Sequence, residues 1–166
     1  MTQEQLRCSS KPKRVELLFI GESPPASGRF FYAGDSGLYR AMVQVFQGVD
    51  AGINNGSFLK AFQASGCYLV DLCPTPVDRL APALRRASCA ANEASLAETI
   101  QHQRPRVIVT TLRSIEGNVA KALLQANWNG PTIQLPYPGR WAHLRAGFVD
   151  GLSPVVAQLL KGKEPL

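Results

Sequence analysis

A three-layer αβα sandwich around a central, mainly parallel four-stranded sheet is the fold class this sequence predicts, and three observations predict it. Short continuous apolar runs recur along the chain: VELLFIG (15–21), CYLVDL (67–72), RVIVTTL (106–112) and the start of PTIQLPYPGRW (131–141). Runs of that length read as strands buried on both faces. Helical patterns separate them, so crossovers must join the strands, which makes the sheet parallel and covers both of its faces. Finally, 166 residues with 45% hydrophobic content fit one domain, large enough to bury a core without disulfide or metal staples.

Taken in order, residues 1–14 (MTQEQLRCSSKPKR) are expected to form a flexible N-terminal segment ahead of a single domain over residues 15–166. After the first strand, Asp35 and Ser36 stand before GLYRAMVQVFQG as candidate caps, with Leu38, Met42, Val45 and Phe46 at helical spacing. GSFLKAFQASG reads as a second short helix closed by Gly66. The strand CYLVDL ends in a loop, CPTPVDRLAP, and a helix follows over about 92–103. SIEGNVAKALLQAN is a further helix after the third strand, and the tail from AGFVDGLSPVVAQLLKG is helical. No internal repeat, low-complexity segment or linker divides the chain.

Charge and composition narrow the function. The chain has 18 Lys+Arg against 12 Asp+Glu, a formal +6, with a pI near 9.4. A positive excess on a small domain is the minimum condition for holding a polyanion. No apolar run approaches the roughly 18 residues that span a membrane. The N-terminus has no hydrophobic signal core, so a cytoplasmic protein is expected. In such a chain Cys8, Cys67, Cys73 and Cys89 are expected to be free thiols.

In a doubly wound sheet, sites gather beyond the carboxyl ends of the strands. Three loops lie there: GESPPASGRFFY, DLCPTPVDR and LPYPGRWAHLR. Neither GxxxxGK[ST] nor GxGxxG occurs, which excludes the common phosphate cradles. Two histidines without HxxxH or CxxC spacing predict no zinc site. Ser23 is not in a GxSxG elbow. Glu22 is therefore the best candidate for chemistry on the first loop; the alternative is that it caps the turn or pairs with an arginine. Phe30, Phe31 and Tyr32 cannot all face inward on a regular element, so at least one ring is expected to point elsewhere, where it can stack on a flat ligand such as a base.

Together these loops resemble the motifs of the uracil-DNA glycosylase superfamily, over about residues 15–148. Gly21-Glu22-Ser23-Pro24 is similar to the first motif, a Gly, a polar or acidic residue, one more residue and Pro at the end of the first strand. FFYAGDSGLYRAM resembles the following segment, with Phe31 or Phe30 as the ring that stacks on a flipped base and Tyr39 at the helix start. CYLVDL resembles a strand that ends in a base-reading Asn, but Asp71 stands at that position. LPYPGRW resembles the last motif with Tyr137-Pro138-Gly139 in place of His-Pro-Ser, and Arg140 or Trp141 as the wedge that enters the duplex.

The resemblance implies a DNA glycosylase-like protein that hydrolyses the N-glycosidic bond of a damaged or deaminated base flipped out of DNA. Glu22 and Tyr137 would be catalytic. Ser23, Phe30, Phe31 and Asp71 would bind the base, and Arg29, Gly139, Arg140, Trp141 and Arg145 the DNA. Arg79, Arg85 and Arg86 also fall near the three loops. The missing His removes the usual electrophile; a tyrosine hydroxyl donates a hydrogen bond but carries no charge. An ionised Asp71 only accepts hydrogen bonds, unlike an Asn amide; its alternative role is to end the strand or pair with Arg79. One branch of the family holds a four-cysteine iron–sulfur cluster. Cys73 and Cys89 resemble its second pair, but Cys8 alone stands for the first, so no cofactor is expected. DNA is the expected partner, with no membrane, and a monomer is expected. Two rivals remain: a non-catalytic nucleic-acid or nucleotide binder of the same fold, and an unrelated α/β small-molecule enzyme.

Overall fold

A computed structural model describes residues 1–162. Its four strands, β1 (Leu17–Gly21), β2 (Cys67–Asp71), β3 (Val107–Thr110) and β4 (Thr132–Gln134), form one sheet in the order β2-β1-β3-β4. Every pairing is parallel, with Gly21 opposite Asp71, Ile20 opposite Thr110 and Thr110 opposite Gln134. The expected sandwich and its four-stranded sheet are therefore present, and the sheet is wholly parallel. β1 and β3 are buried along their whole lengths, as strands inside a doubly covered sheet must be.

Seven α-helices flank the sheet among the described residues: α1 (Gln3–Ser9), α2 (Gly37–Val49), α3 (Phe58–Ala64), α4 (Pro82–Ala91), α5 (Glu93–Gln103), α6 (Glu116–Gln125) and α7 (Ala142–Leu160). Ser36 is the cap of α2, its hydroxyl accepting from the Tyr39 N–H at 3.1 Å. The Asp35 carboxylate turns the other way and accepts from the Phe30 N–H at 2.7 Å, tying the aromatic segment to the start of the helix. Ser36→Ala should therefore lower stability by about 1 kcal/mol, the usual effect of losing such a cap, measurable by urea unfolding. α3 ends at Gly66, whose φ of +77° favours glycine; an added Cβ there would also sit 2.7 Å from the Glu16 side chain.

Two elements were not foreseen. Residues 1–14, expected to be flexible, carry α1, closed by a capping box in which the Thr2 hydroxyl accepts from the Gln5 N–H and the Gln5 side chain accepts from the Thr2 N–H. α1 is held by polar contacts: Gln3 Nε2 donates to the Gly28 carbonyl at 3.3 Å, and the Arg7 guanidinium donates to the Tyr68 hydroxyl at 2.9 Å. The loop 73–82 runs directly into α4, which starts at Pro82 and buries one residue, Cys89.

The core surrounds the sheet with apolar side chains, among them Phe19, Phe46, Phe58, Phe62 and Phe148. Phe30, Phe31 and Tyr32 are all buried, at 6%, 4% and 3% exposure. The expectation that one ring is turned out of the interior fails for a local reason. Phe30 is extended, and Phe31–Ala33 forms a single 3-10 turn ended by Gly34 at φ +78°. That change of backbone direction lets three consecutive rings reach one interior, where Phe31 packs edge-on against Tyr32, Tyr39 and Phe58.

Candidate functional site

The carboxyl ends of β1, β2 and β3 open onto a cavity of about 420 Å³. That volume lies within the range of sites for small organic ligands, about 300–1,000 Å³. Glu22, Phe30, Phe31, Asp71, Thr111 and Tyr137 are among the residues that line it. The three loops singled out in the sequence thus meet at one place. Two hydrogen bonds join the first loop to the second: the Ser23 hydroxyl accepts from the Val77 N–H at 3.2 Å, and Asp78 accepts from the Ala26 N–H at 3.0 Å.

Glu22 pairs with an arginine, as one of its two sequence readings allowed. The Arg85 guanidinium grips the carboxylate with both ends of its fork, Nε to Oε1 at 2.8 Å and Nη2 to Oε2. The Glu22 side chain is 9% exposed and that of Arg85 37%, so the pair sits at the cavity wall with the acid on the inner side. The hydrogen bond to Glu22 raises the Arg85 pKa above its ordinary value. Paired in this way, Glu22 is a fixed negative charge with both oxygens engaged.

Asp71 differs. Its side chain borders the cavity and a second one of about 480 Å³ under α1, and it makes no hydrogen bond among the described residues. The alternative pairing with Arg79 is not made. The Asp71 carboxyl lies against the backbone of the neighbouring strand, and a Cβ on Gly21 would meet Asp71 Oδ1 at 2.6 Å. Glycine at the end of β1 is thus what lets this carboxyl lie flat across the strand ends. Burial pushes its pKa up from 3.8 to about 7; the nearby Arg7 opposes that rise and Glu22 adds to it. The residue is part-buried, and among the described residues no fully enclosed side-chain oxygen lacks a partner, so the carboxyl is open to the cavity it lines, where a ligand N–H can satisfy it.

Tyr137 brings the last loop to the cavity rim at 39% exposure. Burial, and then the charge of Asp71, pushes its hydroxyl above the ordinary tyrosine range, so it remains a hydrogen-bond donor at neutral pH. The turn behind it is tight, with the Gly139 N–H donating to the Tyr137 carbonyl at 2.9 Å. Arg140 and Trp141 stand outside the cavity, stacked on each other at 5.3 Å from guanidinium to ring centroid. Trp141 is 57% exposed. Arg29 lines the cavity, whereas Arg145, in the first turns of α7, does not.

Two cavity cations were missed or undervalued in the sequence. Arg40 on α2 lines the site and donates to the Asp35 carbonyl at 3.2 Å. Arg85, which the sequence places only near the loops, projects from α4, a helix that buries Cys89 alone. Cys73 and Cys89 face each other with sulfurs 3.8 Å apart, and Cys89 lies 4.0 Å from Glu22 Oε1. Both are free, and burial pushes Cys73 up to about 12 and raises Cys89. Cys8 is exposed and donates to Glu4. Among the described residues no group of three or more His, Cys, Asp or Glu is placed to hold a metal ion.

A parallel doubly wound domain with an acid-lined, ring-walled cavity beyond its strand ends belongs to the large class of α/β proteins that bind at that edge. Residues 9–147 match the uracil DNA glycosylase superfamily, and the chain belongs to that family. No curated protein matches it. Among the described residues, no helix is long and apolar enough to cross a membrane.

Proposed function

We propose that this protein is a DNA glycosylase that hydrolyses the N-glycosidic bond of a damaged or deaminated base flipped out of DNA. The observation that carries this reading is the unpartnered Asp71 carboxyl in a cavity that Phe30, Phe31 and Glu22 also line. A flat heterocycle with N–H donors satisfies that acid and stacks on those rings. The sugar carbon of a stacked nucleotide is out of reach, so the base must leave the helix to enter the cavity.

Departure of the base leaves an oxocarbenium-like sugar, which a fixed negative charge stabilises. Glu22 supplies that charge, and its freer lone pairs orient the attacking water. Tyr137 donates a hydrogen bond to the leaving base. Ser23 shapes the base pocket through its bond to the second loop. Arg29, Arg145 and the Gly139 turn contact phosphates, and Arg140 with Trp141 fills the gap left in the stack. The reaction uses no metal or other cofactor in this reading, and the protein acts as a monomer.

A second reading, a non-catalytic nucleic-acid binder of the same fold, is favoured by one observation: the fork of Arg85 engages both Glu22 oxygens. A panel of oligonucleotides, each with one modified or mismatched base, separates the two. Alkali-labile abasic sites are expected with at least one of them. Silence across the panel together with salt-sensitive DNA binding would support the binder, and absence of both would defeat each reading.

A further inference from the structure

The Asp71 carboxyl is the one acid at the cavity that lacks a partner among the described residues, and its chemistry restricts what can lie against it. An ionised carboxylate offers acceptors only, on two oxygens spaced to take two parallel N–H bonds. A uracil edge sets one N–H between two carbonyls, so a carboxylate meets one donor and faces a carbonyl dipole beside it. Hypoxanthine offers one N–H next to one carbonyl. A guanine-type edge sets a ring N–H directly beside an exocyclic amine, two adjacent donors for two oxygens.

We propose that Asp71 makes this site a reader of guanine-type edges, taking the ring N–H and the exocyclic amine of a flipped, damaged guanine on the two oxygens of one carboxylate. This rests on the glycosylase reading of the site and names its substrate class. The remaining carbonyl of such an edge needs a donor, and the Tyr137 hydroxyl lines the same cavity. Asp71 and Tyr137 lie close enough for the charge of one to raise the pKa of the other. Two N–H donors also hold the carboxyl in its ionised form, which burial alone disfavours. Phe30 and Phe31, largely buried, border the cavity with the little ring surface they expose, and Arg7, which lines the second cavity on the other side of Asp71, is the cation whose field reaches it. Damage or mispairing supplies the remaining selectivity, since a weakly paired base flips more easily than an intact one.

The test uses three oligonucleotides that differ at one position, carrying 8-oxoguanine, hypoxanthine or uracil. Freed base is quantified by mass spectrometry, and binding is measured in parallel with non-hydrolysable 2′-fluoroarabino versions. The expected order is 8-oxoguanine, then hypoxanthine, then uracil. At least about 10-fold should separate the first from the last, the discrimination one good bidentate pair gives. Asp71→Asn should move the preference towards uracil, because an amide offers a donor and an acceptor. Equal handling of the three, or uracil first, would overturn the inference while leaving a glycosylase or binder intact. Failure to bind or cut any of them would remove the functional reading itself. If Asp71→Asn does not fold, as judged by circular dichroism, the wild-type order alone decides.

Discussion

Glu22→Gln should give a folded protein that releases its base at least about 100-fold more slowly, the lower end of what a positioned acid–base group contributes. The substitution keeps the shape of the side chain and one oxygen that Arg85 can still hold. It removes the charge that faces the developing positive sugar, and with it the ability to take a proton from water. Because Glu22 and Arg85 form an ion pair that is open to solvent on the Arg85 side, its loss should lower stability by only about 1 kcal/mol. Single-turnover base release and urea unfolding on the same preparation separate the two effects. Release at the wild-type rate from a folded variant would take Glu22 out of the mechanism and shift weight to the binding reading. The present geometry makes this a stringent test, since a carboxylate engaged by both ends of a guanidinium is more effective as a fixed charge than as a base.

The parts of the molecule that were legible in the sequence share one property: they bury apolar residues in a regular period. β1, β2 and β3 announce themselves as short hydrophobic runs, and α2 shows Leu38, Met42, Val45 and Phe46 on one face, all buried. α4 gave no such signal, because PALRRASCAA buries Cys89 and leaves Leu84 exposed. Missing that helix hid the origin of Arg85, and so the partner of Glu22 could not be named. α1 buries no residue at all; its one trace in the sequence is the Thr2–Gln5 capping box, which has no apolar period behind it. The triple aromatic was misjudged because a single 3-10 turn changes the direction of the chain between neighbouring rings. For Asp71 the position was legible, but its lack of a partner was not. Which groups surround a strand end depends on loops brought together from residues 7, 22 and 137, far apart in the chain.

Asp71→Asn should stabilise the unliganded protein at pH 8 by roughly 2–4 kcal/mol and leave it nearly unchanged near pH 4. The sign follows from the acid's raised pKa. Unfolded, Asp71 titrates near 3.8; folded, burial holds it near 7. Below the lower value both states carry the proton and nothing is lost. Between the two values the folded protein holds a proton that the unfolded chain has released, so each rise in pH removes stability. Above the upper value the full cost of ionising this part-buried carboxylate is present. Several groups face Asp71 closely enough to sense or influence its charge: Arg7 from α1, Glu22 from the first loop, Tyr32 from the aromatic turn, Cys73 beyond β2 and Tyr137 from the last loop. Burial pushes Tyr32, Cys73 and Tyr137 upward, so they stay neutral at pH 8, and among the described residues Arg7 is the cation that offsets the charge there. An amide has the shape of the neutral acid and does not titrate, so the difference between variant and wild type isolates Asp71 from every other group. Urea unfolding of both proteins at pH 4, 6 and 8 should show that difference growing with pH and levelling off above about 7. A difference that stays flat would mean that Asp71 ionises as easily folded as unfolded, with a partner already in place. A difference that grows marks a carboxyl that weakens the empty fold and is compensated only when a ligand brings its own N–H donors into the cavity.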